Sequence, residues 1–400
     1  VVTLNTPFFD SGELKIGGVT VHCWRAGGHG AQNFVTATEN SCNPVFAILG
    51  AELLGAEKFY EYITKFGFGK PTGVDFPGEA GGLVPVPGQV KFGEVARWAN
   101  VGFGQGIAVT PLQLLQAAAT IANDGVALRP HFVREIRDKD GNLIKSFASQ
   151  EGRQVLSSDV AKAFAGVMRS VVVNGSGGQA EIEGYRVAGK TGTAQVARTD
   201  GRGYGSERIS SFVGFAPVDD PKIAGLVVLY HPKGQVYGGV IAAPVFSAVV
   251  EDALEHLGVK KRVDRPVSPK TTGTGERLSV VPNVRNYSRS EAEKLLRNAG
   301  LRSEVQGSGE IVLDQVPKPS AEVPIGTTVQ LITEDWQSQV ESRPLVEVPS
   351  VIGLSIRDAA EKLTRLGLRL QVTGSGAAVV QVPEAGTLVP EQATVQVKFE

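Results

Sequence analysis

Cysteine is nearly absent from this chain: Cys23 and Cys42 are the two in 400 residues. They are not spaced as Cys-x-x-Cys, which argues against the tightly paired ligands of structural zinc sites. Charge is equally uninformative in sign. Forty basic and 41 acidic residues leave a formal net charge of −1 with no basic block, so there is no electrostatic footprint for a nucleic acid backbone. Long apolar runs are missing as well. Those such as Ile223 to Tyr230 fall far short of the roughly 20 residues that a membrane helix needs. No Gly-Lys-Ser/Thr follows the glycine-rich stretch Gly102 to Gly106, which excludes a Walker-type phosphate loop and leaves a turn. Val1 is preceded by no initiator Met, basic region or leader, and we take the N-terminus as a cut. Finally, no serine is followed by lysine three places on.

What is present reads as globular: 42% apolar and 20% charged residues over a length suited to two or three domains. The C-terminal third repeats itself. Val281-Pro282-Asn283-Val284 recurs as Val348-Pro349-Ser350-Val351, Ala299-Gly300-Leu301 as Leu366-Gly367-Leu368, and Gly307-Ser308-Gly309 as Gly374-Ser375-Gly376, at one constant offset. Each copy carries apolar residues at helical spacing after a serine N-cap (Ser290 to Ala299; Ser355 to Leu366). Alternating strands follow (Thr328 to Thr333; Thr394 to Phe399), predicting helix first and short strands after. Pro, Thr, Gly and charge without periodicity mark 260–277 as a linker, and 334–346 as a second. The domains expected are therefore 1–259, a repeat at 278–333 and a repeat at 347–400.

Within the first body, Val45 to Leu54, Glu57 to Phe66, Pro111 to Asp124 and Ser157 to Val173 read as helices. Thr110-Pro111 and Ser157 or Ser158 supply the start signals. The period then shortens. Tyr185 to Val196, Ile209 to Ala216 and Ile223 to Tyr230 are β-branched and aromatic, the last two joined as a hairpin through Pro217 to Pro221, and Ala243 to Leu257 would close a helix across them. The fold class expected is α/β, an antiparallel sheet flanked by helices, followed by two small α+β modules.

Two motifs carry chemistry. Gly189-Lys190-Thr191-Gly192-Thr193-Ala194 lies on the first strand of that sheet, and Ser41-Cys42-Asn43 lies far upstream. Enzymes combining Ser-x-Asn with Lys-Thr-Gly draw their nucleophile from Ser-x-x-Lys. A serine hydroxyl needs a neighbouring base, and the developing oxyanion needs donors already in place. Lys190 offers a positive field, Thr191 and Thr193 offer hydroxyls to a carboxylate, and Gly192 removes bulk so that a peptide can lie along the strand. Ser41 and Asn43 would form the facing wall. Taken locally, Ser41 or Asn43 could instead cap the helix beginning at Pro44 and Val45.

Further stretches complete a pattern: His22-Cys23-Trp24 through Gly27-Gly28-His29-Gly30, Ser41-Cys42-Asn43-Pro44, Gly67-Phe68-Gly69 with Thr72-Gly73, Phe103-Gly104-Gln105-Gly106, and Thr110-Pro111-Leu112-Gln113-Leu114. With the Lys-Thr-Gly strand they make residues 1–259 resemble the back part of a class B penicillin-binding protein transpeptidase domain of the division or sporulation type. The two repeats resemble PASTA modules. The resemblance implies peptidoglycan D,D-transpeptidation through an acyl-serine, with stem peptides ending in D-Ala-D-Ala and β-lactams as ligands. No cofactor is implied. It also implies an extracytoplasmic location, an anchor upstream of Val1, and division or sporulation membrane proteins as partners. Carried onto matching positions, Ser41 is the proton-relay hydroxyl, Asn43 binds the donor amide and Lys190 steadies the relay. Thr191, Gly192 and Thr193 hold substrate, the Thr193 amide being one oxyanion donor, with Gln105 in the rim loop. Nucleophile and base lysine would lie upstream, so these residues alone are expected to be inactive.

An extracytoplasmic site permits a disulfide between Cys23 and Cys42, worth about 3 kcal/mol in the chain-entropy picture. Two reduced, buried thiols are the other reading. Zinc on Cys23, Cys42, His22 and His29 is disfavoured by the spacing, and no metal is expected. A second functional class is a noncatalytic cell-wall binding or spacing protein acting through the modules, with Trp336 either stacking on a sugar or packing between domains.

Overall fold

In a computed structural model the described residues are 2–90, 92–147, 152–197, 203–262, 278–333, 345–383, 385–390 and 394–400. Trp336 and most of both expected linkers lie outside them. The chain opens with short strands β1 (Pro7–Asp10), β2 (Glu13–Ile16), β3 (Val19–His22) and β4 (Gly30–Asn33). A helical lobe follows: α1 (Phe34–Glu39), α2 (Asn43–Ile48), α3 (Gly55–Lys65), α4 (Glu94–Gly102) and α5 (Pro111–Ala122). The run expected to be one helix from Val45 starts at Asn43 and continues after α2 as a π-helical turn, Leu49–Leu54, before α3. Thr110 caps α5 as read from sequence, its side chain accepting from the Gln113 amide while Gln113 reaches back to the Thr110 amide. Two small ribbons, β5 (Val126–Ala127) with β8 (Arg153–Gln154) and β6 (Glu135–Arg137) with β7 (Leu143–Ser146), precede α6 (Ser158–Asn174).

The sheet consists of β9 (Ala188–Ala197), β10 (Tyr204–Ala216) and β11 (Ile223–Tyr230), all antiparallel in the order β11-β10-β9. Helices α7 (Gly238–Ile241) and α8 (Ala243–His256) follow. Alternation along β10 fills both faces. Phe212 and Ala216 point into a core with Phe246, Val250 and Leu254 of α8, the Phe212 and Phe246 rings being 4.8 Å apart. Phe215 points the other way, against Ala165 and Met168 of α6. β9 is left with one unpaired edge, and that edge carries Lys-Thr-Gly.

Each repeat has the same plan. Repeat 1 contains β12 (Leu278–Val280), α9 (Arg289–Asn298), β13 (Arg302–Gln306), β14 (Val312–Val316), β15 (Glu322–Pro324) and β16 (Thr328–Thr333). Repeat 2 contains β17 (Leu345–Glu347), α10 (Ile356–Arg365), β18 (Arg369–Gly374), β19 (Ala378–Val382), β20 (Leu388–Pro390) and β21 (Thr394–Phe399). Three strands pair as β13-β16-β14 and β18-β21-β19, and the outer pairs are β12-β15 and β17-β20. The expected order of helix first is thus corrected: a strand precedes the helix in each copy. Three residues are too few to show alternation, and their partner lies dozens of residues away. In each module a buried glutamine ties the N-terminal Val-Pro segment to the sheet. Gln315 accepts from the Val284 amide at 2.7 Å and donates to the Pro282 carbonyl at 3.0 Å. Gln381 does the same to Val351 at 2.7 Å and Pro349 at 3.1 Å.

Replacing Gln381 by leucine would strand the Val351 N–H and the Pro349 carbonyl in a buried place. Repeat 2 is expected to lose about 2 kcal/mol, read as roughly thirtyfold faster hydrogen exchange of the β21 amides, with β16 of repeat 1 unchanged.

Candidate functional site

Ser41 sits between the end of α1 and the start of α2, where the chain reverses. Its φ of 52° is left-handed, a conformation that costs an L residue of order 1 kcal/mol. Backbone bonds fix that turn: the Ser41 amide donates to Thr38 at 3.1 Å and the Cys42 amide to Ala37 at 3.0 Å. Neither Ser41 nor Asn43 caps the following helix, as the local sequence allowed. Cys42 occupies the N-cap, and its side chain makes no capping bond to the helix. The hydroxyl of Ser41 is engaged elsewhere: it accepts from Lys190 Nζ at 2.9 Å. Asn43 donates its amide to the His22 carbonyl at 3.3 Å, which fixes the side chain against the end of β3.

Lys190 therefore joins two segments 149 residues apart. Its ammonium also donates to the Thr191 carbonyl at 3.0 Å and lies 3.4 Å from Thr191 Oγ1. Among the described residues, none of its hydrogen-bond partners is a carboxylate. Burial without a counter-charge pulls the amine down to about 8 from the ordinary 10.5. Thr191 Oγ1 meets Ser176 Oγ at 2.8 Å, and Thr193 Oγ1 accepts from the Gly238 amide at 3.2 Å. Gly192 pairs with Ser211 across β9 and β10. A Cβ there would stand 2.5 Å from Ser211 Oγ, so a side chain at this position would have to turn the Ser211 hydroxyl aside. Gln105 lies in the loop between α4 and α5, its amide bonded to the Asn100 carbonyl at 2.9 Å. The next residue, Gly106, donates its amide to Tyr204 Oη at 2.8 Å, which ties that loop to the far end of the β9-β10 hairpin.

The structure thus brings Ser41, Lys190 and Thr191 into one hydrogen-bonded cluster, with Gly192 and Thr193 continuing along the same strand. Cys23 and Cys42 are both free. The hydrogen bond from Cys23 favours a thiolate on Cys42 and pushes the Cys23 thiol up.

Sequence reasoning missed the support behind these walls, and part of it comes from repeat 1. Arg285 is buried and donates to Asn40 Oδ1 at 3.0 Å, one residue before Ser41. Buried Asp314 balances it at 3.8 Å and also binds Arg25 at 2.6 Å and Lys318 at 2.8 Å. Burial raises the Asp314 carboxyl, but Lys318, Arg25 and Arg285 outweigh it and hold it down at about 2. Asn283 donates to the Gly175 carbonyl at 3.0 Å and Asn286 to the Ser176 carbonyl at 2.6 Å. Repeat 1 is therefore one hydrogen bond removed from Thr191, through Ser176. A signal for this existed in the sequence: where repeat 1 has Arg285 and Asp314, repeat 2 has Ile352 and Val380, both about half exposed.

With this geometry in hand, comparison with known proteins is direct. The Penicillin binding protein transpeptidase domain matches residues 1–251, and the PASTA domain matches residues 279–335 and 346–400. Stage V sporulation protein D of Bacillus subtilis is 38% identical over 336 residues, covering 83% of this chain and 51% of that protein. Peptidoglycan D,D-transpeptidase FtsI of Escherichia coli is 34% identical over 222 residues, covering 55% of this chain and 34% of that protein. Among solved structures, penicillin binding protein 3 of Mycobacterium tuberculosis complexed with aztreonam superposes with a TM-score of 0.59 at 30% identity, covering 65% of this chain and 59% of that one. This chain spans about half the length, or less, of these curated relatives. The chain belongs to the penicillin-binding protein transpeptidase family. Its transpeptidase domain followed by two PASTA domains makes it a class B penicillin-binding protein.

Two outcomes follow from the electrostatics. Below pH 8 the native state carries the cost of a buried ammonium, and it releases that proton before the unfolded chain does. Stability should therefore rise between about pH 8 and 10.5. Lys190→Met is expected to be more stable than wild type at pH 7 by up to about 3 kcal/mol, the gap closing toward pH 10.5 in urea denaturation series. Asp314→Leu leaves Arg285 buried and unbalanced and should cost about 3–5 kcal/mol, whereas Arg285→Met combined with Asp314→Leu should recover most of it in the same assay.

Proposed function

We propose that this chain supplies two walls of a peptidoglycan D,D-transpeptidase cleft that works through an acyl-serine on the extracytoplasmic side of a cell membrane. The single observation that carries this reading is the 2.9 Å bond from Lys190 to Ser41, which unites Ser-x-Asn with the Lys-Thr-Gly strand. Such a pair suits proton relay: desolvation brings the amine down to about 8, near the operating pH at which a positioned acid or base is most effective, and the hydroxyl beside it can pass a proton on. Thr191 and Thr193, with the open edge of β9, suit a peptide carboxylate laid as an added strand. Asn43 would take the donor amide, turning from the His22 carbonyl to do so. Stem peptides ending in D-Ala-D-Ala and the β-lactams that mimic them are the ligands expected.

The nucleophile is not among these residues, since no serine is followed by lysine three places on. A polypeptide of these 400 residues is expected to form no acyl-enzyme. Incubation with a fluorescent penicillin and denaturing electrophoresis checks this: a covalent band on this chain would sink the proposal that the nucleophile is a Ser-x-x-Lys serine. The division and sporulation relatives make membrane proteins of those processes the expected partners.

A further inference from the structure

We propose that Asp10, Cys23, His29 and Cys42 form a zinc site that clamps the Ser-x-Asn turn to the opening strands. The linear spacing hid it, because the donors come from four segments: the end of β1, the residue after β3, the loop before β4, and the turn between α1 and α2. One donor atom from each lies within 4.8 Å of all the others. His29 Nδ1 is 3.0 Å from Asp10 Oδ2 and 3.2 Å from Cys23 Sγ, and Cys42 Sγ is 3.3 Å from the same Asp10 oxygen. Four donors around zinc at ordinary bond lengths stand about 3.3–3.8 Å apart, so small shifts suffice to seat the ion. Two sulfurs, an imidazole and a carboxylate make a tetrahedral set suited to zinc rather than to magnesium or calcium.

The surroundings also ask for a cation. The Asp10 and His29 side chains are 0% and 2% exposed, and Cys42 is fully buried. Yet no lysine or arginine side chain bonds the cluster among the described residues. What faces it are N–H groups: Gly12 to Asp10 at 2.9 Å, the His29 amide to Asp10 at 3.0 Å, Gln32 to Cys42 at 3.1 Å and the Arg25 amide to Cys23 at 3.4 Å. Such donors orient ligands and stabilise thiolates without supplying net charge. His29 turns Nδ1 toward Asp10 and Cys23, and its Nε2 is buried with no hydrogen-bond partner among the described residues. Gly28, at φ 71°, makes the cage possible, because a Cβ would lie 2.3 Å from the Asp10 carbonyl. On binding, each thiol yields its proton to solvent as its sulfur takes the metal; nothing is oxidised.

Cys42 is the middle residue of Ser41-Cys42-Asn43, so the ion would hold the turn whose hydroxyl meets Lys190. The site itself stands on the four donors, whatever reaction the cleft performs. Tag-free protein prepared with reductant and no chelator is expected to carry about one zinc per chain by plasma emission spectroscopy. Cobalt(II) in its place should give tetrahedral d–d bands and a sulfur-to-metal charge-transfer band. Cys23→Ser, at a half-exposed position where the fold can be checked by circular dichroism, should lose the metal, and a chelator should lower the melting temperature of the wild type alone. His22→Ala, whose ring lies outside the cluster, should keep the zinc. Metal-free protein with two free thiols, a Cys23–Cys42 disulfide in place of the ion, or full zinc retention by Cys23→Ser would each overturn the proposal.

Discussion

An ammonium held without a carboxylate at the edge of a sheet is the constraint around which the rest is arranged. Lys190 can stay charged there only because Ser41, the Thr191 carbonyl and the Thr191 hydroxyl accept from it. Those acceptors must be delivered from both halves of the body at once. Ser41 is held in a left-handed turn by backbone bonds to α1, and Thr191 is held by Ser176. The strand in turn is fixed by the aromatic core that pins β10 between α8 and α6. Local strain and desolvation at the site are thus offset by packing well away from it.

The two repeats show how one scaffold takes on two roles. Both keep the buried glutamine that stitches the Val-Pro segment to the three-stranded sheet. They diverge on the face that in repeat 1 meets the transpeptidase-family domain. There Arg285, Asp314 and two asparagines give repeat 1 a polar docking surface, on which the buried Arg285 Nε is left without a partner among the described residues. Repeat 2 has Ile352 and Val380 in the corresponding places and leaves them exposed. A buried ion cluster contributes orientation more than net stability, since desolvation consumes much of the Coulomb gain. Repeat 1 is accordingly held in a defined pose behind Asn40 and Ser176, next to Ser41 and Thr191.

Periodicity and punctuation made the regular elements legible. The helix opened by Thr110-Pro111, the one beginning at Ser157 or Ser158 and the three strands came out nearly in place, because capping boxes and β-branched runs act over a few residues. The duplicated module was legible too, since self-similarity survives in a single sequence. The opening strands of the repeats were not, being three residues long with distant partners. Nor was the pairing of Gly192 with Ser211, which depends on which residue of β10 lies opposite.

What the sequence by itself determined is the set of chemical groups: a lysine strand, a serine-asparagine turn, a repeated module, and no serine followed by lysine at the nucleophile spacing. Tertiary structure alone decided which groups meet. It put Ser41 against Lys190, Arg285 of the first repeat against Asn40, and Asp10 beside His29 and two cysteines whose spacing had argued against a metal. The physical reason is range. Capping, turn chemistry and alternation are set by neighbours in the chain, whereas a hydrogen bond across 149 residues or a four-donor cage exists only once burial has folded distant segments together.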